Sequence, residues 1–240
     1  MGVYEDSIKK PFTDMAKLII GIIVSSIPLI NWIAKGFIIE SSGMGSTKPS
    51  KKMPEWKGWA SLFFKGFAAY AIAFIYAIPA ILVFLTGIGI AALSLSTTTG
   101  TLIQDGIMTS IMTGDVSAGI VRQFITENIY TLLPTIIAIL PIFLLGAVLL
   151  LIAFYLTPVA VLNYLKNGKF NKAFDMEYIV KKSLTMKYLG AWIVAGVITL
   201  IVTAILSLIP LIGAQIAFFV SGVISYSLYG SALREIKNKK

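Results

Sequence analysis

Three stretches of this chain carry no charged residue: Gly66 to Gln104, Asn128 to Leu165 and Tyr188 to Leu233, of 39, 38 and 46 positions. A bilayer core about 30 Å thick is crossed by about 20 apolar residues in a helix. Each stretch is therefore long enough to cross, and the last is long enough to cross twice. The expected fold is all-α: a polytopic membrane helical bundle in one integral membrane domain, with four full transmembrane helices at 67–95, 132–162, 189–209 and 214–233.

The charges between the stretches orient this bundle. Of the 20 Lys and Arg residues, all but Arg122 fall in segments that four crossings place on one side. Region 96–131, the expected external one, sets Asp105, Asp115 and Glu127 against Arg122 alone. Cytoplasmic loops carry the Lys and Arg excess, so the expectation is a cell-membrane protein with both termini in the cytoplasm.

Residues 18–39 are apolar but interrupted by Pro28 and Asn31, and lysines flank them on both sides: Lys9, Lys10 and Lys17 before, Lys35 onward after. One crossing would put one flank on the wrong side, whereas a re-entrant hairpin turning at Pro28–Asn31 would not. Such a hairpin needs protein or water around its turn. The charge rule favours the hairpin over a span, and the rule has exceptions.

Interfacial amphipathic elements are expected beside the spans. Ile8, Phe12 and Met15 share a helical face. Residues 54–66 read as a helix opened by Pro54, with Trp56, Trp59 and Phe63 on one face at headgroup depth. Residues 170–187 read as a second such helix, through Phe170, Phe174, Tyr178 and Lys181. The expected lipid-contact residues are Trp56, Trp59 and Phe63 with Lys51, Lys52, Lys57, Lys169 and Lys172. The expected hinges and turns are Pro28, Asn31, Pro79, Pro210 and Gly213.

Composition narrows the chemistry. The chain has no Cys and no His, which removes the usual zinc, haem and copper ligands and the commonest general base at neutral pH. No cofactor is expected. Asp14, Glu55, Asp175 and Glu177 sit in interfacial segments; Asp175 and Glu177, two apart, point in different directions on a helix. An enzyme is therefore not expected. The net charge of +9 accords with positive-inside loops and anionic headgroups, and nucleic acid is not expected as a partner. Membrane lipids are, together with a protein partner or a second copy of the chain. Met1–Ser7 carries acids and does not read as a signal-peptide n-region.

A short echo links the two ends: Ser26–Asn31 (SIPLIN) and Leu208–Gly213 (LIPLIG). Trp56–Ile81 also loosely parallels Phe174–Leu200. Repeats with broken helices are frequent in transporters, and coincidence in an apolar alphabet is the competing explanation.

Several of these pieces resemble the domain-of-unknown-function 4013 family of largely archaeal multi-pass membrane proteins. They are Pro11–Gly21 (PFTDMAKLIIG), Ile27–Asn31, Pro54–Trp59 (PEWKGW), Leu62–Gly66 (LFFKG), Ala173–Asp175, Ile209–Gly213 and Tyr229–Arg234 (YGSALR). The long Ser/Thr-rich segment 94–117 departs from the pattern. The resemblance implies a multi-pass bundle and carries no activity, substrate or catalytic residue. The functional expectation is a non-catalytic scaffold or partner subunit that contacts lipid headgroups on the cytoplasmic face. The alternative is a transporter or channel for a neutral or lipid-like solute, with helices broken at Pro28 and Pro210.

Overall fold

The computed structural model describes residues 2–45, 51–104, 112–114 and 118–236, whose regular structure is helical with no strand among them. Among the described residues eight α-helices follow in order: α1 Gly2–Lys9, α2 Met15–Ser25, α3 Asn31–Glu40, α4 Trp59–Gln104, α5 Ala118–Asn167, α6 Met176–Ser183, α7 Met186–Leu206 and α8 Gly213–Glu235. Short 3₁₀ turns at Lys10–Thr13 and Phe170–Phe174 precede α2 and α6. Among the described residues, four helical segments are long and apolar enough to cross a membrane: Trp59–Ser94, Leu133–Asn167, Met186–Leu206 and Gly213–Glu235. The protein is a multi-pass membrane protein with the four expected spans. Asp105 and Asp115, two of the acids of the expected external region, lie outside the described residues.

The chain divides into two compact units, 1–76 with 153–240, and 77–152. The centre of the first unit is α8. In its apolar window 78% of residues are buried, against 11–17% in the other three candidate spans, so protein rather than lipid covers it. Small residues allow this. A Cβ on Gly222 would press on the Ile38 side chain, and one on Gly230 would meet the Ser42 backbone. Ser227 donates to the Ser41 carbonyl at 3.2 Å. Gly and Ser at such positions are the usual device for close helix packing where lipid is the alternative neighbour. In contrast, α7 exposes Ile193, Val197, Leu200, Ile201 and Ile205.

Residues 18–39 fold as α2 and α3 around a turn at 26–30. At a rise of about 1.5 Å per residue these helices are about 16 Å and 15 Å long, from 11 and 10 residues. Each is half of what a crossing needs. Asp14 caps α2 by accepting from the Lys17 amide at 3.1 Å.

Two helix boundaries differ from the sequence reading. The helix expected to open at Pro54 starts at Trp59 and continues without a break to Gln104. Pro54–Gly58 is non-helical, and Gly58 has φ +66°. The cause is Trp56, whose ring stacks on Phe37 at 4.0 Å and whose Nε1–H donates to the Lys17 carbonyl at 3.2 Å. Those contacts draw 54–58 off the helix axis. The element expected over 170–187 is shorter, ending at Ser183, because Thr185 caps the start of α7 through the Tyr188 amide. Pro79 stays inside α4, where it leaves the Ile75 carbonyl without its helical donor.

The second unit is held by a reciprocal contact. Gly87 on α4 receives the Phe143 ring, and Gly146 on α5 receives the Phe84 ring; the rings lie 5.7 Å apart. Phe-Leu-Thr-Gly87 and Phe-Leu-Leu-Gly146 thus place a ring and a gap three residues apart on each helix. Side chains three apart share a helix face, so each ring fills the other's gap.

Candidate functional site

Two polar regions of the first unit bear on function: the hairpin turn beneath α3, and the surface around α6.

Both copies of Ile-Pro-Leu-Ile form the same turn. Leu29 has φ +65° and Leu211 φ +69°, the only non-glycine residues with positive φ among those described. The Ile30 amide donates to the Pro28 carbonyl at 2.8 Å, and Ile212 to Pro210 at 2.9 Å. Asn31 donates to Ile27 at 2.9 Å, and Gly213 to Ile209 at 3.1 Å. A bond from i+2 to i around a positive central φ is the rare, strained form of the γ-turn. Both turn leucines are exposed.

The polar groups after the two turns differ. With its nitrogen facing the second turn, the Gln215 amide donates to the carbonyls of Leu211 at 2.7 Å and Ile212 at 3.2 Å. At the first turn, Asn31 holds its Oδ1 buried with no hydrogen-bond partner. One helical turn along the same face, the Lys35 ammonium lies 4.8 Å from the Tyr226 ring centre, 5.7 Å from Tyr70 and 6.0 Å from Phe218. Three rings in cation–π range stand in for a carboxylate. The sequence reading placed Lys35 in a lysine-rich flank; the fold turns it inward.

The expected lipid-contact residues separate. Trp56 belongs to the core, stacked on Phe37 and facing Phe219 at 6.2 Å and Trp59 at 5.6 Å. Phe63 packs on Trp32 at 5.3 Å. Trp59 is exposed at the first residue of α4. The shared helical face therefore does not form, because Trp56 precedes the helix. Lys51, Lys52, Lys57, Lys169 and Lys172 are all exposed. Lys51 pairs with Asp6 at 3.0 Å and Lys172 with Asp175 at 3.1 Å.

Around α6 the structure assembles a group that spacing alone did not show. Met176, Val180 and Leu184 stand exposed at intervals of four, as a continuous apolar stripe. Ile179 and Ser183 face the core. Lys182 is buried and donates to the Ile236 carbonyl at 2.8 Å. Its ammonium and that of Lys166, at the end of α5, each lie 5.8 Å from the Tyr178 ring centre. Burial, and then the charges of Lys166 and Lys181, push the Lys182 pKa down. A cavity of about 800 Å³ opens here between α6, the start of α7 and the end of α8. The i,i+4 pair Tyr178/Lys182 was visible in the sequence; Lys166, from another helix, was not.

Residues 19–211 match the family described as protein of unknown function (DUF4013). The chain belongs to the DUF4013 family. The match to DUF4013 runs from α2 into the second leucine turn, so it takes in the first hairpin turn and α6 and ends at Leu211, before α8. No curated protein and no solved structure matches the chain.

Proposed function

We propose that this DUF4013 protein is a non-catalytic membrane component whose lysine-rich side lies in the cytoplasm and holds anionic lipid headgroups. The observation that carries this reading is the two-sided surface of α6. Its exposed stripe of Met176, Val180 and Leu184 runs beside Lys181 and is flanked by Lys169 and Lys172. A helix with an apolar face and lysines at its border lies in the headgroup plane, its apolar side in the acyl boundary. Each Lys near an anionic leaflet contributes about 1 kcal/mol of attraction. The second apolar stripe, Ile8, Phe12, Met15, Ile19 and Ile23, is exposed along α1 and α2 and accords with a re-entrant α2–α3 hairpin entering the same leaflet.

The test replaces Lys51, Lys52, Lys57, Lys169 and Lys172 by Gln. In nanodiscs of mixed phosphatidylcholine and phosphatidylglycerol, the variant is expected to lose the enrichment of phosphatidylglycerol around the protein. Unchanged enrichment sinks the reading. Because the chain has no Cys, single cysteines introduced at Lys51 and Lys169 test sidedness: both are expected to react with a membrane-impermeant maleimide only after the cytoplasmic side is opened.

The alternative, passage of a neutral solute, has one observation in its favour: the unpartnered Asn31 Oδ1 beneath a broken helix. It predicts flux in proteoliposomes that Asn31→Leu abolishes. Flux that survives the substitution removes Asn31 from that reading.

A further inference from the structure

The cavity beside α6 holds a charge arrangement with a definite chemical complement. Its walls include Asp175, Glu177 and Glu235 as well as Lys181, Lys182 and Lys187. Two of the carboxylates are already occupied. Asp175 accepts from Lys172 at 3.1 Å and from the Tyr178 amide at 3.3 Å; Glu235 accepts from Lys187 at 3.1 Å. Glu177 stands in the first turn of α6, where the helix dipole favours it. What remains in the wall is Lys181, Lys182 and the Glu177 carboxylate, with Lys166 outside the wall, its ammonium, like that of Lys182, 5.8 Å from the Tyr178 ring centre. Lys166 and Lys181 have no hydrogen bond or ion pair among the described residues, and Lys182 gives one of its three N–H bonds to the Ile236 carbonyl. Like charges gathered this closely repel each other, and a lysine as buried as Lys182 carries a desolvation cost. Against Glu177 these three lysines leave a formal excess of two positive charges, which an anion with several acceptor oxygens complements.

We infer that this cavity binds the phosphate of an anionic glycerophospholipid, with Lys181 and Lys182 from its wall and Lys166 from beside the Tyr178 ring as its cations. The inference rests on the headgroup-binding reading above and moves its specific site from the exposed lysines to the cavity. A lipid is favoured over a soluble phosphate by the surroundings. Met186, in the cavity wall, is 84% exposed. The stripe of Met176, Val180 and Leu184 gives acyl chains an apolar track beside the phosphate position.

The experiment uses the full chain in nanodiscs of equal parts phosphatidylcholine and phosphatidylglycerol, released into native mass spectrometry. The variants are Lys166→Gln with Lys181→Gln, both exposed positions, so that buried Lys182 is left in place. Wild type is expected to retain phosphatidylglycerol adducts, and the double variant to lose them by about tenfold or more at the attraction expected per lysine. Lys181→Arg is expected to keep them. Adducts unchanged in the double variant but lost in the five-lysine variant described above would overturn the cavity and leave the general reading standing. Absence of any phosphatidylglycerol preference in wild type would overturn both. Displacement of the adducts by millimolar glycerol phosphate at equal effectiveness would assign the cavity to a soluble phosphate and overturn the lipid.

Discussion

Ile27–Ile30 joins helices of 11 and 10 residues, whereas Ile209–Ile212 joins helices of 21 and 23. The turns themselves are alike in hydrogen bonds and in the positive φ of their leucine. Four identical residues therefore reproduce one strained turn in two settings, and helix length is set by other means. Charge is the setting that differs. Lysines close in on the first hairpin from Lys17 and Lys35, while the second has none between Lys187 and Arg234. The order of the echoes also argues against a tandem duplication. The turn precedes the Trp56–Ile81 segment in the first half but follows its counterpart, Phe174–Leu200, in the second. A local recipe explains this more simply. Proline cannot donate and holds the preceding residue out of the helical region, so the chain breaks there and closes on the nearest carbonyl.

The sharpest way to break the first hairpin alone is Gly66→Ala. A Cβ there would run into the Trp32 carbonyl, and backbone does not yield as a side-chain tip does. The expected cost is about 3 kcal/mol, read as a fall in the thermal midpoint of the detergent-solubilised protein. A midpoint within error of wild type would mean that α3 and α4 do not pack as described. The next test exchanges the residue after each turn. Gly213→Asn meets the Leu206 carbonyl and is expected to destabilise by about 2 kcal/mol. Asn31→Gly removes a buried acceptor that has no partner, a gain of about 1–3 kcal/mol. Offset by the entropy cost of glycine, about 0.5–1 kcal/mol, the net is about 1 kcal/mol of stabilisation. Equal effects of the same sign at both sites would show that the two turns have the same surroundings.

These comparisons mark how far the sequence could be read. The four spans were legible because a charge-free run of twice the needed length has few alternatives, and the break at Pro28 was legible because proline ends helices locally. Trp56 was misplaced because its partners, Phe37 and Phe219, come from helices distant in sequence. Spacing of three and four assumes a helix that these contacts prevent. Lys35 counts in the sequence only as part of the lysine-rich flank for the same reason: its cage is built by Tyr70, Phe218 and Tyr226, from α4 and α8. The cluster around Tyr178 required α5 and α6 to meet. Phe84, Gly87, Phe143 and Gly146 carried a visible three-residue spacing, but its meaning depends on the register between α4 and α5. Local chemistry was readable; convergence of elements was not.

A pH titration probes the first hairpin through Lys10. Lys10 is buried and donates to the Ser41 carbonyl after α3, as buried Lys182 does to the Ile236 carbonyl after α8. Burial, with the nearby Arg234 charge, lowers its pKa to about 8, below the ordinary lysine range. Below pH 8 the folded and unfolded chains both carry the charge, and its burial cost is present in full. As pH rises through 8 toward the ordinary value, the folded chain loses the proton first. The unfolded state then binds more protons, so stability increases with pH. Between pH 7 and 9 the contribution is about 1 kcal/mol. Lys10→Met is expected to flatten this part of the stability profile, and an unchanged slope would place its origin at another group.

The smallest effect tests the turn itself. Leu29→Gly and Leu211→Gly each relieve a left-handed backbone that costs a side chain about 1–2 kcal/mol. Each also returns about 0.4–1 kcal/mol to the unfolded chain as entropy. A net gain of about 0.5 kcal/mol is expected at both positions, with Val destabilising both because a β-branched residue fits positive φ worst. The two leucines differ in exposure, 64% for Leu29 and 92% for Leu211. A turn set by its own tetrapeptide should ignore that difference, so the two glycine variants should shift the thermal midpoint alike. A gain at Leu211 with a loss at Leu29 would instead show that packing around α2 and α3 holds the first turn, and that the shared geometry has two causes.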